Sequence, residues 1–193
     1  MRDSFYFAVR TITVAPLMAA LMLVFLFLSV PEIFSPAGTF TLSLVFLVVL
    51  PLLAYPLQKY IPGFKDKGRE GQRTLAMIFA VVGYLLGMMT GFCLHAAGAL
   101  QLIYWEYFLS GVLIAAVNKL FHRKISGHAC GIFGPVVLLL FFRQYAVSAL
   151  FLLLAVPAFI ASLKMKRHTL PQLIAGSVVP FIAFLPLYLL MFV

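Results

Sequence analysis

Two stretches of the chain set a histidine among clustered cations: Arg123–Pro135, reading RKISGHACGIFGP, and Ser162–Gly176, reading SLKMKRHTLPQLIAG. Imidazole changes charge near neutral pH and serves as nucleophile, base or acid, while Lys and Arg bind anionic oxygen. Histidine beside such cations points to phosphate chemistry. A third basic run, KDKGREGQR over Lys65–Arg73, supplies Lys65, Lys67, Arg69 and Arg73, with Gly68 and Gly71 allowing close backbone approach.

In the later stretch, His168 and Gln172 are one helical turn apart. The Gln172 amide is expected to accept from the imidazole Nδ1–H, which orients the ring and leaves Nε2 free as a nucleophile. Lys164, Lys166 and Arg167 surround the ring with charge that keeps it neutral and attracts phosphate. In the earlier stretch, Ser126-Gly127-His128 opens a helix. Ser126 is a good N-cap, Gly127 lets an anion reach the backbone, and the first-turn N–H groups and dipole favour negative charge. His128 in that turn is placed to protonate a leaving oxygen. Taken singly, each piece also has a plain reading as an orienting polybasic loop, a helix cap or an interfacial histidine.

The elements that must hold these residues are membrane helices. Of the 193 residues 64% are hydrophobic and 10% charged, and the mean hydropathy is +1.12, which excludes an ordinary soluble domain. Long unbroken apolar runs, not the alternation of barrel strands, predict an all-α polytopic transmembrane bundle of about six to seven spans. Seven windows stand out: Thr13–Val30, Thr41–Tyr60, Thr74–His95, Leu102–Phe121, His128–Phe142, Tyr145–Leu163 and Leu170–Phe192. The fifth is short for a bilayer and is expected to start inside the protein near Ser126. The first is too long for a signal h-region and is expected to be retained. No repeat or soluble segment divides the chain, so residues 1–193 read as one domain. Cys93 and Cys130 have no metal-ligand spacing and read as small packing residues; no metal or other cofactor is implied.

On this topology Arg2, Arg10, Lys59 and all three basic clusters fall on one side and Arg143 on the other. The positive-inside rule makes that side cytoplasmic. Because phosphate-binding cations would bias such a count, Arg2, Arg10 and Lys59 carry the argument, being expected to lie further from the site. The three loops, each two spans from the next, share one face and converge over one bundle mouth. The expected partners are membrane lipids and a phosphorylated lipid substrate, with no role for nucleic acid.

A basic loop ending in Arg73, then Ser-Gly-His at a helix start, then about forty residues to His168-Thr169 and a Gly eight further on, resembles the type 2 phosphatidic acid phosphatase family. That family's motifs read K-x(6)-R-P, P-S-G-H and S-R-x(5)-H-x(3)-D, and the likeness, over Lys65–Gly176, is to its compact bacterial members. The resemblance implies an integral protein of the bacterial cytoplasmic membrane with a metal-independent phosphatase activity. His168 matches the nucleophile that forms a phosphohistidine and His128 the acid. Ser126 and Gly127 match the phosphate cradle and Arg73 the Arg of the first motif. Lys67, Arg69, Lys124 and Lys164 join them as substrate-binding cations, and Gln172 orients His168.

The chain departs from the pattern at several points. The Ser-Arg pair falls on Ala161 and Ser162, the Asp after the nucleophile is Gln172, the prolines are Ile125 and Thr74, and the Lys is Asp66 between Lys65 and Lys67. Lys164 is a candidate for the missing Arg, and Glu70 for the missing carboxylate. The expected function is hydrolysis of a phosphomonoester or diphosphate on a phospholipid or polyprenyl lipid. The alternative is a catalytically weakened relative that binds or carries an anionic phospholipid. A small transporter or scaffold is the third reading, with Glu106 as its intramembrane charge, expected near the interface opposite the basic loops.

Overall fold

The computed structural model describes residues 2–121 and 123–193, without the side chains of residues 2 and 3. His122, and the Arg2 side chain in the charge count, therefore lie outside what is described. Helix α1 (Arg2–Ile12) leads into α2 (Ala15–Ser29). Then follow α3 (Thr39–Tyr60), α4 (Gly68–Cys93), α5 (Gly98–Lys119), α6 (Gly127–Phe141), α7 (Tyr145–Lys164) and α8 (Leu170–Phe192). Among the described residues there is no strand.

Five helices, α3, α4, α5, α7 and α8, are long and apolar enough to cross a membrane, and α1 with α2, bent by 48° at the break between them, brings the number to six if the pair is counted as one span. The chain is thus a multi-pass integral membrane protein. All seven expected windows are helical, with ends shifted by a few residues, and α1 is an addition that the sequence reading did not foresee. Pro16 explains why α1 stops: its ring excludes a helical carbonyl four residues back, at Ile12, which is where α1 ends. Pro51 acts likewise on α3, where the backbone passes through a π-turn over Val45–Val49 just before it. That distorted segment lies against α4, where a Cβ on Gly83 would come within 2.5 Å of the Phe46 carbonyl oxygen.

Helix α6 is short, as expected, and sunk in the bundle. Its neighbours are α2, α5, α7 and α8, and most of its residues are buried. Gly131 lets it touch Ala15 at the start of α2, the small-residue contact that brings membrane helices close. The outer faces of α7 and α8 are apolar and exposed, as at Leu153, Val156, Ile182 and Leu185, which suits contact with lipid tails.

Candidate functional site

A cavity of about 1010 Å³ opens at the end of the bundle where the three basic loops meet. Arg69 and Arg73 reach it from the start of α4, Lys124, Gly127 and His128 from the start of α6, and Lys166, Arg167 and His168 from the turn before α8. Three segments far apart in sequence thus line one space, and both histidines belong to it.

His168 is set by the local chemistry of a helix start. Thr169 caps α8 in a capping box with Gln172, in which the Gln172 Oε1 accepts from the Thr169 backbone N–H at 3.2 Å. A backbone N–H only donates, so the oxygen end of the amide is pinned there. The same Oε1 lies 3.2 Å from His168 Nδ1, so Nδ1 carries the proton and Nε2 keeps a free lone pair. Desolvation first, and then the charges of Arg73, Lys124 and Arg10, push the His168 pKa down to about 4 against the opposing Gln172 bond. At neutral pH the ring is uncharged.

His128 is held from a distance. Its Nε2 lies 3.0 Å from Thr13 Oγ1 in the break between α1 and α2. The Thr13 hydroxyl donates its one proton to the Val9 carbonyl at 2.8 Å. It can therefore only accept from the imidazole, which fixes the proton of neutral His128 on Nε2 and leaves Nδ1 as the free nitrogen. The two rings are held as opposite tautomers.

The cradle residues divide. Ser126 is fully buried and does not line the cavity: its hydroxyl accepts from Ala129 N, its N–H goes to the Gln172 carbonyl, and its carbonyl takes Cys130 N. It is a cap and a fastener, which corrects the substrate-binding expectation for this residue. Gly176 of α8 allows that fastening, because any Cβ there would strike the Ser126 backbone. Gly eight residues after His168 thus brings the two histidine helices together. Gly127 remains exposed on the cavity wall.

Other expectations need correcting. Lys164 ends α7 exposed and outside the cavity lining, since the chain turns inward only after it, through Lys166 at a φ of +50°. Lys67 is exposed too, its ammonium 5.8 Å from the Phe64 ring centre rather than in the cavity. Glu70 lines the cavity, but it is Gln172 that meets the His168 Nδ1. Arg10 is not remote from the site. It lines the cavity, and its Nη1 donates to Ser162 Oγ, at the position where the resemblance puts the missing Arg. Arg10 is therefore removed from the independent charges that argue for a cytoplasmic face. Glu106 is not interfacial: it is 1% exposed and lines the deep end of the same cavity.

Sequence reasoning missed Arg10 and Thr13 because they act across 152 and 115 residues of chain. The one available signal was Pro16, which ends α1 and turns its last residues toward the site. Among the described residues no cluster of His, Cys, Asp or Glu suited to a metal ion occurs. No family model, curated protein or solved structure matches the chain.

Proposed function

We propose that the protein is a lipid phosphate phosphatase that hydrolyses a phosphomonoester or diphosphate on a phospholipid or polyprenyl lipid through a phosphohistidine. The observation that carries this reading is the pairing of two histidines, held as opposite tautomers, in one cation-walled cavity at the end of a membrane bundle. His168 Nε2 attacks phosphorus as the ester P–O bond breaks. The leaving alkoxide takes a proton from the Nδ1 of His128; burial and the charge of Arg10 keep the free ring neutral, so this proton is taken up from solvent when the phosphate dianion binds beside it. Water then attacks the phosphohistidine, gives its proton to His128 Nδ1, and frees inorganic phosphate and neutral His168. Arg73, Lys124 and Arg10 meet the equatorial oxygens, where phosphoryl transfer gathers charge. Arg10 brings from α1 the guanidinium that α7 lacks. On this reading the site faces the cytoplasm of a bacterial cell, supported by the side on which Lys59 lies.

The test is phosphate release from phosphatidic acid, phosphatidylglycerophosphate and a polyprenyl diphosphate in detergent, with His168→Ala and His128→Ala beside the wild type. Release unaffected by either change would exclude the mechanism. Gln172, where a carboxylate would stabilise imidazolium, favours a second reading: the same mouth binds an anionic lipid without turning it over. Salt-sensitive binding with no phosphohistidine trapped by rapid quench would establish that alternative.

A further inference from the structure

Among the described residues, five buried side-chain polar atoms have no hydrogen-bond partner, and four of them, Glu106 Oε2, Tyr107 OH, Asn118 Nδ2 and Arg167 Nε, belong to residues lining the cavity that holds both histidines. Unpaired buried polar atoms are costly and rare, so their concentration marks a place where a ligand completes the bonding. They fall at two levels. Asn118 and Arg167 are donors near the basic mouth, the Asn118 amide oxygen being already taken by Ile125 N at 2.8 Å. Glu106 and Tyr107 lie deeper. A Cβ on Gly134 would be 3.5 Å from both Glu106 carboxylate oxygens, and Gly134 is six residues, about 9 Å of helix rise, beyond His128 on α6.

We propose that Glu106 and Tyr107 form a second subsite for a free hydroxyl on the alcohol portion of the phosphate ester, so that the ligand is a polyol or sugar phosphate rather than the phosphate of a plain alkyl or prenyl chain. This rests on the phosphate-binding reading of the mouth. Glu106 Oε1 already accepts from Ser110 Oγ at 2.8 Å, which leaves Oε2 without a partner. Tyr107 has a hydroxyl proton to give. A hydroxyl both donates and accepts, so the hydroxyls of one polyol can answer both residues. An ammonium accepts nothing, and to reach Glu106 it must pass the cations of the mouth. A saturated chain laid against these groups leaves both unpaired.

The experiment measures Kd on the full-length protein in detergent, with His168→Ala as background so that binding is read without turnover. Two matched pairs are compared: sorbitol 6-phosphate with hexyl phosphate, and phosphatidylinositol 4-phosphate with phosphatidic acid. The hydroxylated member of at least one pair is expected to bind about tenfold tighter, as one or two buried hydrogen bonds imply. The pair showing the preference tells a soluble ester from a lipid headgroup. Tyr107→Phe and Glu106→Met, each made in that background, are expected to bring the ratio close to one. Glu106→Met replaces the buried carboxyl group with an apolar chain of similar volume, and Tyr107→Phe, which removes only a hydroxyl, is the milder of the two changes. Equal affinities within both pairs, a preference that survives both substitutions, or no binding by any of the four overturns the subsite. Phosphate release by the wild type is scored separately, so a failed subsite and a failed phosphatase reading give different results.

Discussion

The two histidines reach the same cavity by opposite routes. His168 is oriented by Gln172, four residues away in the first turn of α8, whereas His128 is oriented by Thr13, from a different helix break at the far end of the sequence. The first arrangement forms whenever α8 starts at Thr169; the second requires the whole bundle, because α1 and α6 must both be in place. On the proposed mechanism, a locally encoded nucleophile and a globally encoded acid have different weaknesses. Substitutions near His168 should act on chemistry alone, and substitutions near His128 on chemistry and assembly together.

The sharpest break in that comparison is His168→Ala. It is expected to lower kcat by at least about 1000-fold, as removal of a covalent nucleophile does, with the melting temperature in detergent almost unchanged. Phosphate release and rapid-quench trapping of phosphohistidine check it; labelled intermediate in His168→Ala at wild-type level would mean that another residue is the nucleophile.

Arg10→Ala comes next, on the His128 side. Removing one guanidinium from the equatorial oxygens is expected to lower kcat/KM by about 100- to 1000-fold. Because the fork geometry matters, Arg10→Lys should restore only part of it. The substitution also releases Ser162 of α7 from α1, so a falling melting temperature is expected, in contrast to His168→Ala. Rates that do not change in Arg10→Ala would leave α1 as packing only.

What could be read from the sequence follows the same division. The Gln172 bond to His168 was legible because i to i+4 spacing is a local property of any helix. The sunk start of α6 was legible too, from fifteen apolar residues too few to span a bilayer. Arg10 and Thr13 were not, because no local pattern reports which helix break will face which loop in a folded bundle. Glu106 was misplaced for a smaller reason. With α5 expected to start at Leu102, the carboxylate stood at its first turn; the helix starts at Gly98, one turn earlier, and α6 covers it. Ser126 had two readings, cap or cradle, and burial against α8 decides for the cap.

Gln172→Asp sharpens the comparison by strengthening the local side alone. A carboxylate still accepts from His168 Nδ1, and its charge favours the cationic ring that forms as Nε2 bonds to phosphorus with Nδ1 still protonated. A rise in kcat of about tenfold is expected, the equivalent of roughly one pKa unit of added stabilisation. The same change at Thr13, a substitution to Asp, should not help, since it sets a charge in the buried break between α1 and α2. No gain from Gln172→Asp would show that the amide already does all that this reaction asks of it.

The smallest expected effect concerns pH. With its pKa pushed down to about 4, His168 is neutral at pH 7 and stays so until the medium is strongly acid. Protonation consumes the Nε2 lone pair, so the acid limb of kcat/KM due to the nucleophile should fall near pH 4 instead of near 6.5, the ordinary histidine value. The same shift acts on stability. Between about 4 and 6.5 the unfolded chain binds a proton at this position that the folded one does not. Folding stability from this group is therefore complete above 6.5 and lost as pH falls toward 4. Arg73 is the largest of the charges that disfavour the imidazolium, after desolvation. Arg73→Ala should therefore move the acid limb upward, toward 6.5, by a fraction of a unit, besides weakening phosphate binding. Thr13→Val should leave that limb where it is, because Thr13 holds the other ring. A limb that moves with Thr13→Val and not with Arg73→Ala would mean that the titrating group is His128, and the roles of the two histidines would have to be exchanged.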